Sequence, residues 1–422
     1  MNILILSSFD IIGGAARAAN RLNRSLNQNK KYLITSRMKV ARKLDDRKSI
    51  LCPNPRTSCM YNQLKSRLSL TFNRLQLTDN KIHHSCSFIP TNIEKSINKS
   101  NADIVNLHWV QSEFISIESI GRIKKPIIWT LHDAWPFCGS EHYPKDINDL
   151  RYINGYKKNN RNHNHSGLDL DKWCWERKKK SWKKNFNIIS PSKWLGNMAR
   201  NSYLMKDANI SIIPNPLPTN IYKPINKEFA RSLFELPQNK PLILFGAFSG
   251  IENILKGWGE MNKCIHILQE TLPDLEVIVL GQSEPISERD KNGIYHFIPK
   301  LTDDVSLSII YSAANVVVVP SKVENLCQMA TEAQSCGVPV VTFNTTGMAE
   351  TVVDKETGYL AEAFKAEDLA KGIEWIIINK DVENKLSIKA RQRASELWNY
   401  ETISNKYFEV YHSLLENKYI SK

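Results

Sequence analysis

The chain has 422 residues, 42% of them hydrophobic, and a net charge of +14 at pH 7. This length accommodates two or three domains with cores of their own, and no apolar run nears the ~20 residues that span a bilayer. The eight cysteines (Cys52, Cys59, Cys86, Cys138, Cys174, Cys264, Cys327 and Cys336) lack a paired spacing, which argues against a disulfide-built fold and suits reduced thiols in the cytoplasm.

Read from the start, MNILILSSFD is a strand of the fold without a charged leader, and the predicted strand covers 2–8. Gly13-Gly14 forms the next loop, and a helix runs over 15–26. Further strands are expected over 32–38, 102–110 and 126–135. Between them, a helix over 61–77 puts Leu64, Leu68, Phe72 and Leu75 on one face, with Lys65, Arg67 and Arg74 elsewhere around it. Such a helix either lies on an anionic membrane or packs its stripe into the domain. Residues 139–172 are polar and read as a long loop of the kind that carries function. The pattern then repeats, with a strand and loop over 241–250, a helix over 255–272, and strands over 275–281, 295–300 and 315–319. A helix over 325–335 ends at Gly337, a strand follows over 338–343, and a last amphipathic helix covers 401–416. Strands alternating with helices predict two doubly wound parallel sheets. The joint falls at IIPNPLPTNIYKP, whose four prolines in thirteen residues suit a stiff connector.

Charge is uneven: residues 1–200 hold 35 Lys and Arg against 15 Asp and Glu, whereas residues 201–422 hold 22 against 28. A basic first half favours an anionic partner. No helix–turn–helix, zinc-finger or RNA-binding signature accompanies it, so nucleic acid is not expected.

Several residues invite a chemical reading. Glu324 and Glu332 stand eight apart, the first after a four-valine strand and the second in the following helix, at the sheet edge where α/β folds bind ligands. Carboxylates there hold sugar or ribose hydroxyls, or are solvated charges. Lys256, before Gly257, reaches a diphosphate or lies on the surface. Gly13 and Gly14 allow a close phosphate approach or a tight turn, without the dinucleotide fingerprint. His132, at a strand end, is an acid–base or hydrogen-bonding group or a structural histidine, and His108, closing the preceding strand, is its expected neighbour. Cys138, His142, His163, His165 and Cys174 do not match zinc spacing. The run from Arg177 to Lys184 binds phosphate or is a solvated helix face.

In order, the segments ISPSKWLGNMA, IIPNPLPTNIYKP, FGAFSGIENILKGW, VPSKVENLCQMATEAQSCGVPVV and TTGMAETVVDKETGYL resemble the retaining, nucleotide-sugar-dependent glycosyltransferases of family 4. The block TLHDAWPFCGSEHY with GLDLDKWCWERKKKSW resembles their bacterial surface-polysaccharide branch. The resemblance implies an α/β GT-B fold, with two Rossmann-like domains facing across a cleft. Residues 1–218 would form the acceptor domain, residues 219–397 the nucleotide-sugar domain, and a helix over 398–417 would pack back on the first. It implies that Glu324 holds the transferred sugar, Glu332 the ribose and Lys256 the diphosphate. Gly13 and Gly14 would line the phosphate and acceptor loop, and His132 would stand beside the sugar. Asn325, Leu326 and Cys327 would offer backbone amides, with Glu350 in the following G-x-x-E stretch. Implied partners are a nucleoside diphosphate sugar, a glycan acceptor on undecaprenyl diphosphate and the anionic inner membrane, with no metal or cofactor. Two departures stand out: Ala247 occupies the place of an expected phosphate-binding Arg, leaving Lys322 as a substitute, and Asn-Leu-Cys follows Glu324 in place of a Gly-Phe-Gly-like run. Other readings are a nucleotide-sugar epimerase or hydrolase on the same fold, or a basic scaffold.

Overall fold

The computed structural model describes residues 1–52, 55–146, 148–183, 186–246, 254–283 and 293–420, with side chains described outside 55–63, 254 and 417–420. The chain divides into two units, Met1–Pro214 with Ile403–Lys422, and Asn215–Thr402.

The strands of the first unit are β1 (Asn2–Phe9), β2 (Thr35–Arg42), β3 (Ile50–Leu51), β4 (Gln76–Leu77), β5 (Ile104–Leu107), β6 (Ile127–Thr130), β7 (Ser166–Gly167), β8 (Asn187–Ser190) and β9 (Asn209–Ile212). Seven of them make one sheet, ordered β3-β2-β1-β5-β6-β8-β9, with every pairing parallel. β4 and β7 form a separate antiparallel ribbon. The sheet is apolar on both faces, as parallel sheets covered by helices must be. Leu4, Leu6, Val105, Leu107 and Trp129 face one core, while Ile3, Ile5, Ile104, Ile128 and Ile189 face the other. The second core is closed by the terminal helix Tyr400–Ile420, which contributes Ile403, Tyr407 and Tyr411 at helical spacing. Asn106 donates from Nδ2 to Tyr411 Oη at 2.8 Å, so a polar residue in mid-strand is satisfied by that helix.

The second unit holds β10 (Leu242–Gly246), β11 (Glu276–Leu280), β12 (Tyr295–Ile298), β13 (Val316–Val319), β14 (Val340–Phe343) and β15 (Gly358–Ala361). They form a parallel sheet ordered β12-β11-β10-β13-β14-β15. Period-two alternation again splits the side chains, with Leu242, Leu244, Val317 and Val319 on one face and Ile243, Phe245, Val316 and Val318 on the other.

Three expectations shift. The second strand begins at Thr35 and not at 32, and Leu33 is left almost fully exposed. The helix after Glu324 starts at Gln328, so Glu332 lies just over one turn in, not two. Residues 139–172 are not a plain loop: Ser140, Glu141 and His142 are buried, and the segment contains short helical pieces and β7. Strands β8, β9 and β15, absent from the sequence reading, extend both sheets.

Candidate functional site

In doubly wound sheets the ligand-binding edge lies where the strand order reverses, because loops there run to opposite faces and leave a crevice. In the second unit the reversal falls between β10 and β13. The loop after β10 carries Lys256 and the loop after β13 carries Glu324, and the structure brings these two side chains into an ion pair. Both side chains are about a quarter exposed, and the Glu324 carboxylate raises the Lys256 pKa.

The backbone around the pair is held tightly. Lys256 ends a short 3-10 turn (Ile254–Lys256) and precedes Gly257, at φ +72, the N-cap of the helix Trp258–Thr271. A Cβ on Gly257 would lie 1.9 Å from the Pro320 carbonyl oxygen, so only glycine fits. On the other side, Glu324 N–H donates to Thr346 Oγ1 at 3.3 Å, and Gly347 N–H donates to the Glu324 carbonyl at 3.0 Å. A Cβ on Gly347 would fall 1.6 Å from the Asn325 carbonyl oxygen. Thr346 sits at φ +49, a strained conformation for a β-branched residue. The turn after β14 thus clamps the Glu324 loop, a role sequence reasoning missed although the glycine of TTG pointed to it.

Asn325, Leu326 and Cys327 are buried, and Cys327 is the N-cap of the helix Gln328–Ser335. Burial, then the Glu324 charge, pushes the Cys327 thiol up to about 12, so it is inert as a nucleophile. Glu332 is buried at 3% exposure and accepts a 2.8 Å hydrogen bond from Tyr311 Oη. Glu350 ends the 3-10 turn Thr346–Glu350, its carbonyl held by Arg393 at 3.0 Å. Lys322 forms a 2.8 Å ion pair with Glu260, which spends its charge locally. Ala247 lies outside the described residues.

In the first unit the reversal falls between β1 and β5. Gly13 follows β1 at φ +86 and caps the helix Gly14–Gln28, and the space on its Cβ side is open. Buried Asp10 shapes this turn, accepting from the N–H groups of Ile11 (2.9 Å), Leu44 (2.6 Å) and Asp45 (2.7 Å), a contribution the sequence reading did not find. His108, after β5, and His132, after β6, approach to 2.9 Å between Nδ1 and Nε2. Burial lowers His132 to about 4 against the opposing pull of Asp133, and burial and then His132 push His108 well below the ordinary value. Both rings are therefore neutral at pH 7. Asp133 accepts from Trp109 Nε1 at 2.9 Å and pairs with His142 Nδ1 at 2.6 Å.

The suspected zinc ligands have separate partners: His142 has Asp133, His165 has Asp79 at 2.6 Å, and Cys174 Sγ donates to the Cys86 carbonyl at 3.7 Å. Among the described residues, no three His, Cys, Asp or Glu side chains are placed to hold a metal ion. Asp169 and Asp171 make an Asp-x-Asp spacing, yet Asp169 caps a helix and pairs with Arg151, and Asp171 binds Gln76 and Ser140. The basic run at 177–184 is not wholly a solvated face. Arg177 pairs with Glu118, and Lys178 is fully buried, donating to the carbonyls of Trp135, Cys138 and Gly139.

A lysine and a carboxylate paired at the switch point of a parallel sheet suit a ligand that combines phosphate with hydroxyl groups. Residues 227–393 match the family Glycosyl transferases group 1. The matched stretch lies within the second unit. It includes Lys256, Glu324, Glu332 and Glu350. Over 198 residues the chain is 30% identical to an uncharacterized glycosyltransferase of Haemophilus influenzae, covering 44% of this chain and 50% of that one. Over 169 residues it is 27% identical to the capsular polysaccharide biosynthesis glycosyltransferase CapM of Staphylococcus aureus, covering 38% and 44%. The chain thus spans about half the length of these curated relatives. The fold matches Anabaena HepE, solved in complex with UDP and glucose, at a TM-score of 0.63 and 15% identity, over 98% of this chain and 100% of that one. The architecture is GT-B. Among the described residues no helix is long and apolar enough to cross a membrane.

Proposed function

We propose that this protein transfers a hexose from a nucleoside diphosphate sugar to a glycan acceptor, with retention of anomeric configuration. The observation that carries the reading is the Lys256–Glu324 pair at the switch point of a group 1 domain. In this reading the pair separates when the donor binds. Lys256 moves onto the diphosphate and Glu324 onto hydroxyls of the sugar, while Glu332, braced by Tyr311, takes the ribose. Amides of Asn325, Leu326 and Cys327, with Glu350 nearby in sequence, complete the donor subsite in the second unit.

The bond between the anomeric carbon and the diphosphate breaks, and the nucleoside diphosphate leaves with the electron pair. The acceptor oxygen bonds to that carbon on the same face, and its proton passes to a phosphate oxygen. Negative charge grows on the leaving group, where a preorganised ammonium and helix amides stabilise it. Neither a metal nor a nucleophilic carboxylate is required, unlike a retaining hydrolase with two acids. The first unit serves the acceptor: Gly13 and Gly14 leave room for it, and neutral His132 hydrogen-bonds the transferred sugar.

The acceptor in this reading is a growing surface polysaccharide on a lipid diphosphate, handled from the cytoplasm at the inner face of the membrane. The likeness to CapM supports the polysaccharide part. Glu324→Gln and Lys256→Ala should each remove transfer while leaving the melting temperature near wild type, and full activity in both variants overturns the reading.

A further inference from the structure

Apart from its switch point, the first unit holds a cavity of about 230 Å³. Its polar lining is Asn73, Gln76, Thr78, His83, His84 and Ser140, and among the described residues no Lys, Arg, Asp or Glu lines it. Leu70, Ile82 and Leu170 supply the apolar part. Leu70 and His83 are exposed, whereas Gln76, Ser140 and Leu170 are buried, so the cavity has an open mouth and a closed floor.

The floor is fixed in place. Gln76 Nε2 donates to Asp171 Oδ2 at 2.8 Å, and Gln76 Oε1 accepts from the Asp171 N–H at 3.1 Å. Ser140 Oγ donates to Asp171 Oδ1, and Asn73 Nδ2 donates to the His84 carbonyl at 2.8 Å. Walls already ordered lose little freedom when the site is filled. One polar atom is left over. His84 Nδ1 lies 2.7 Å from the Ile82 carbonyl, which only accepts, so the hydrogen of the neutral ring sits on Nδ1. His84 Nε2 then carries a lone pair. It is buried, 3.7 Å from Asp171 Oδ1, and has no hydrogen-bond partner among the described residues. Burial lowers the His84 pKa against the pull of Asp171, which keeps the ring neutral at pH 7. A buried acceptor beside another acceptor calls for a donor, and a hydroxyl group supplies one.

Charge and size narrow the ligand. An uncharged lining disfavours phosphate and carboxylate groups, which would be buried unpaired. A volume below the ~300–1,000 Å³ of drug-sized sites suits one sugar ring, with hydroxyls for His84, Thr78 and Ser140 and a C–H face for the leucines. The mouth also adjoins the sheet edge that carries His132. His83 Nε2 lies 3.2 Å from Ser85 Oγ, Ser85 Oγ lies 2.9 Å from His142 Nε2, and His142 holds Asp133, the neighbour of His132. The His83 ring is 6.3 Å from that of Trp109, which stacks on Phe9 at 6.0 Å. Trp109 and Phe9 are half-buried. The one polar atom of the indole, Nε1, is spent on Asp133, so both side chains expose hydrocarbon, which packs against the C–H face of a sugar.

We infer that this cavity and the Phe9–Trp109 shelf form a remote glycan subsite, holding a neutral sugar residue at a distance from the one that receives the transferred hexose. The inference rests on the transferase reading. It makes the acceptor an oligosaccharide, so another glycosyl transfer must come before this one.

Saturation-transfer NMR of the full chain with maltose, cellobiose, lactose and chitobiose tests it, with glucuronic acid as the anionic control. At least one neutral disaccharide should bind wild type, and glucuronic acid should not displace it. His84→Phe should weaken that binding about fivefold or more by removing the acceptor atom. His83→Ala, at the exposed mouth, should weaken it as well and carries the test if His84→Phe does not fold. Both variants should keep the rise in melting temperature on adding a nucleotide sugar. The inference is overturned if no disaccharide of the panel binds, if wild type and His83→Ala bind equally, or if glucuronic acid displaces the neutral sugar. Should disaccharide binding respond to these substitutions while no nucleotide sugar raises the wild-type melting temperature, the transferase reading fails and the sugar site stands.

Discussion

Lys256 and Glu324 form an ion pair, and in the proposed reaction the donor replaces it with contacts of its own, which sets what substitution does. Each side chain is partly exposed, so the pair contributes little to stability, at most about 1 kcal/mol. Removing either partner should cost far more in catalysis, on the order of 10²–10³ in kcat, as for other preorganised charges facing a leaving group. Lys256→Ala should also weaken donor binding, measured by calorimetry with a nucleoside diphosphate sugar, whereas Tyr311→Phe should raise the donor KM modestly by loosening Glu332. At the histidine pair the signs run the other way. His132 is held to about 4 when folded, below its unfolded value of ~6.5. The unfolded chain therefore binds a proton that the folded one refuses. Stability is full above pH ~6.5 and declines as the pH falls toward 4, by an amount on the order of 3 kcal/mol for this group. His132→Gln should make the fall in melting temperature between pH 7 and pH 5 shallower, and an unchanged slope would contradict the assignment.

At the scale of elements, the turn after β14 and the terminal helix are the parts whose loss is most informative. Gly347→Ala places a methyl group against the Asn325 carbonyl, so the Glu324 loop must move. Transfer should drop nearly as far as in Glu324→Gln, although the side chain that acts is intact. In the terminal helix, Tyr411→Phe leaves Asn106 Nδ2 buried without its partner and should cost about 1–3 kcal/mol in thermal or urea unfolding. The sequence reading reached both sheets because a buried parallel strand such as Val316–Val319 is a continuous apolar run that no surface segment imitates. It did not reach which side chains over 64–73 turn inward, where Lys65 and Ser69 are buried and Leu64 and Leu68 exposed. Helical periodicity groups Leu64 with Leu68, but which face turns inward depends on partners such as Glu113, 44 residues beyond Ser69. The 139–172 segment was misread for a similar reason. Its polar composition suits a loop, yet its first residues are anchored by Lys178, whose ammonium takes three carbonyls from Trp135, Cys138 and Gly139. The Glu324–Lys256 pairing was legible only as two residues on neighbouring loops, because the strand order that brings β10 beside β13 is not written in either segment.

At the scale of the molecule, charge divides as the units do. Met1–Pro214 with Ile403–Lys422 holds 39 Lys and Arg against 18 Asp and Glu, and Asn215–Thr402 holds 18 against 25. In the proposed reaction the basic unit suits an acceptor carrying phosphate, and Lys256 would bring a diphosphate to the acidic unit against its net charge. The proposed transfer should therefore weaken with salt more through the acceptor KM than through the donor KM, since the larger net charge lies on the first unit. The central claim is that this unit grips an activated sugar through Lys256 and Glu324. The most direct test is the melting temperature of the full chain against a panel of nucleoside diphosphate sugars, for wild type, Lys256→Ala and Glu324→Gln. The account predicts that at least one sugar nucleotide raises the wild-type melting temperature and that both substitutions abolish most of that rise. A rise of equal size in all three proteins, or none with any member of the panel, would contradict it.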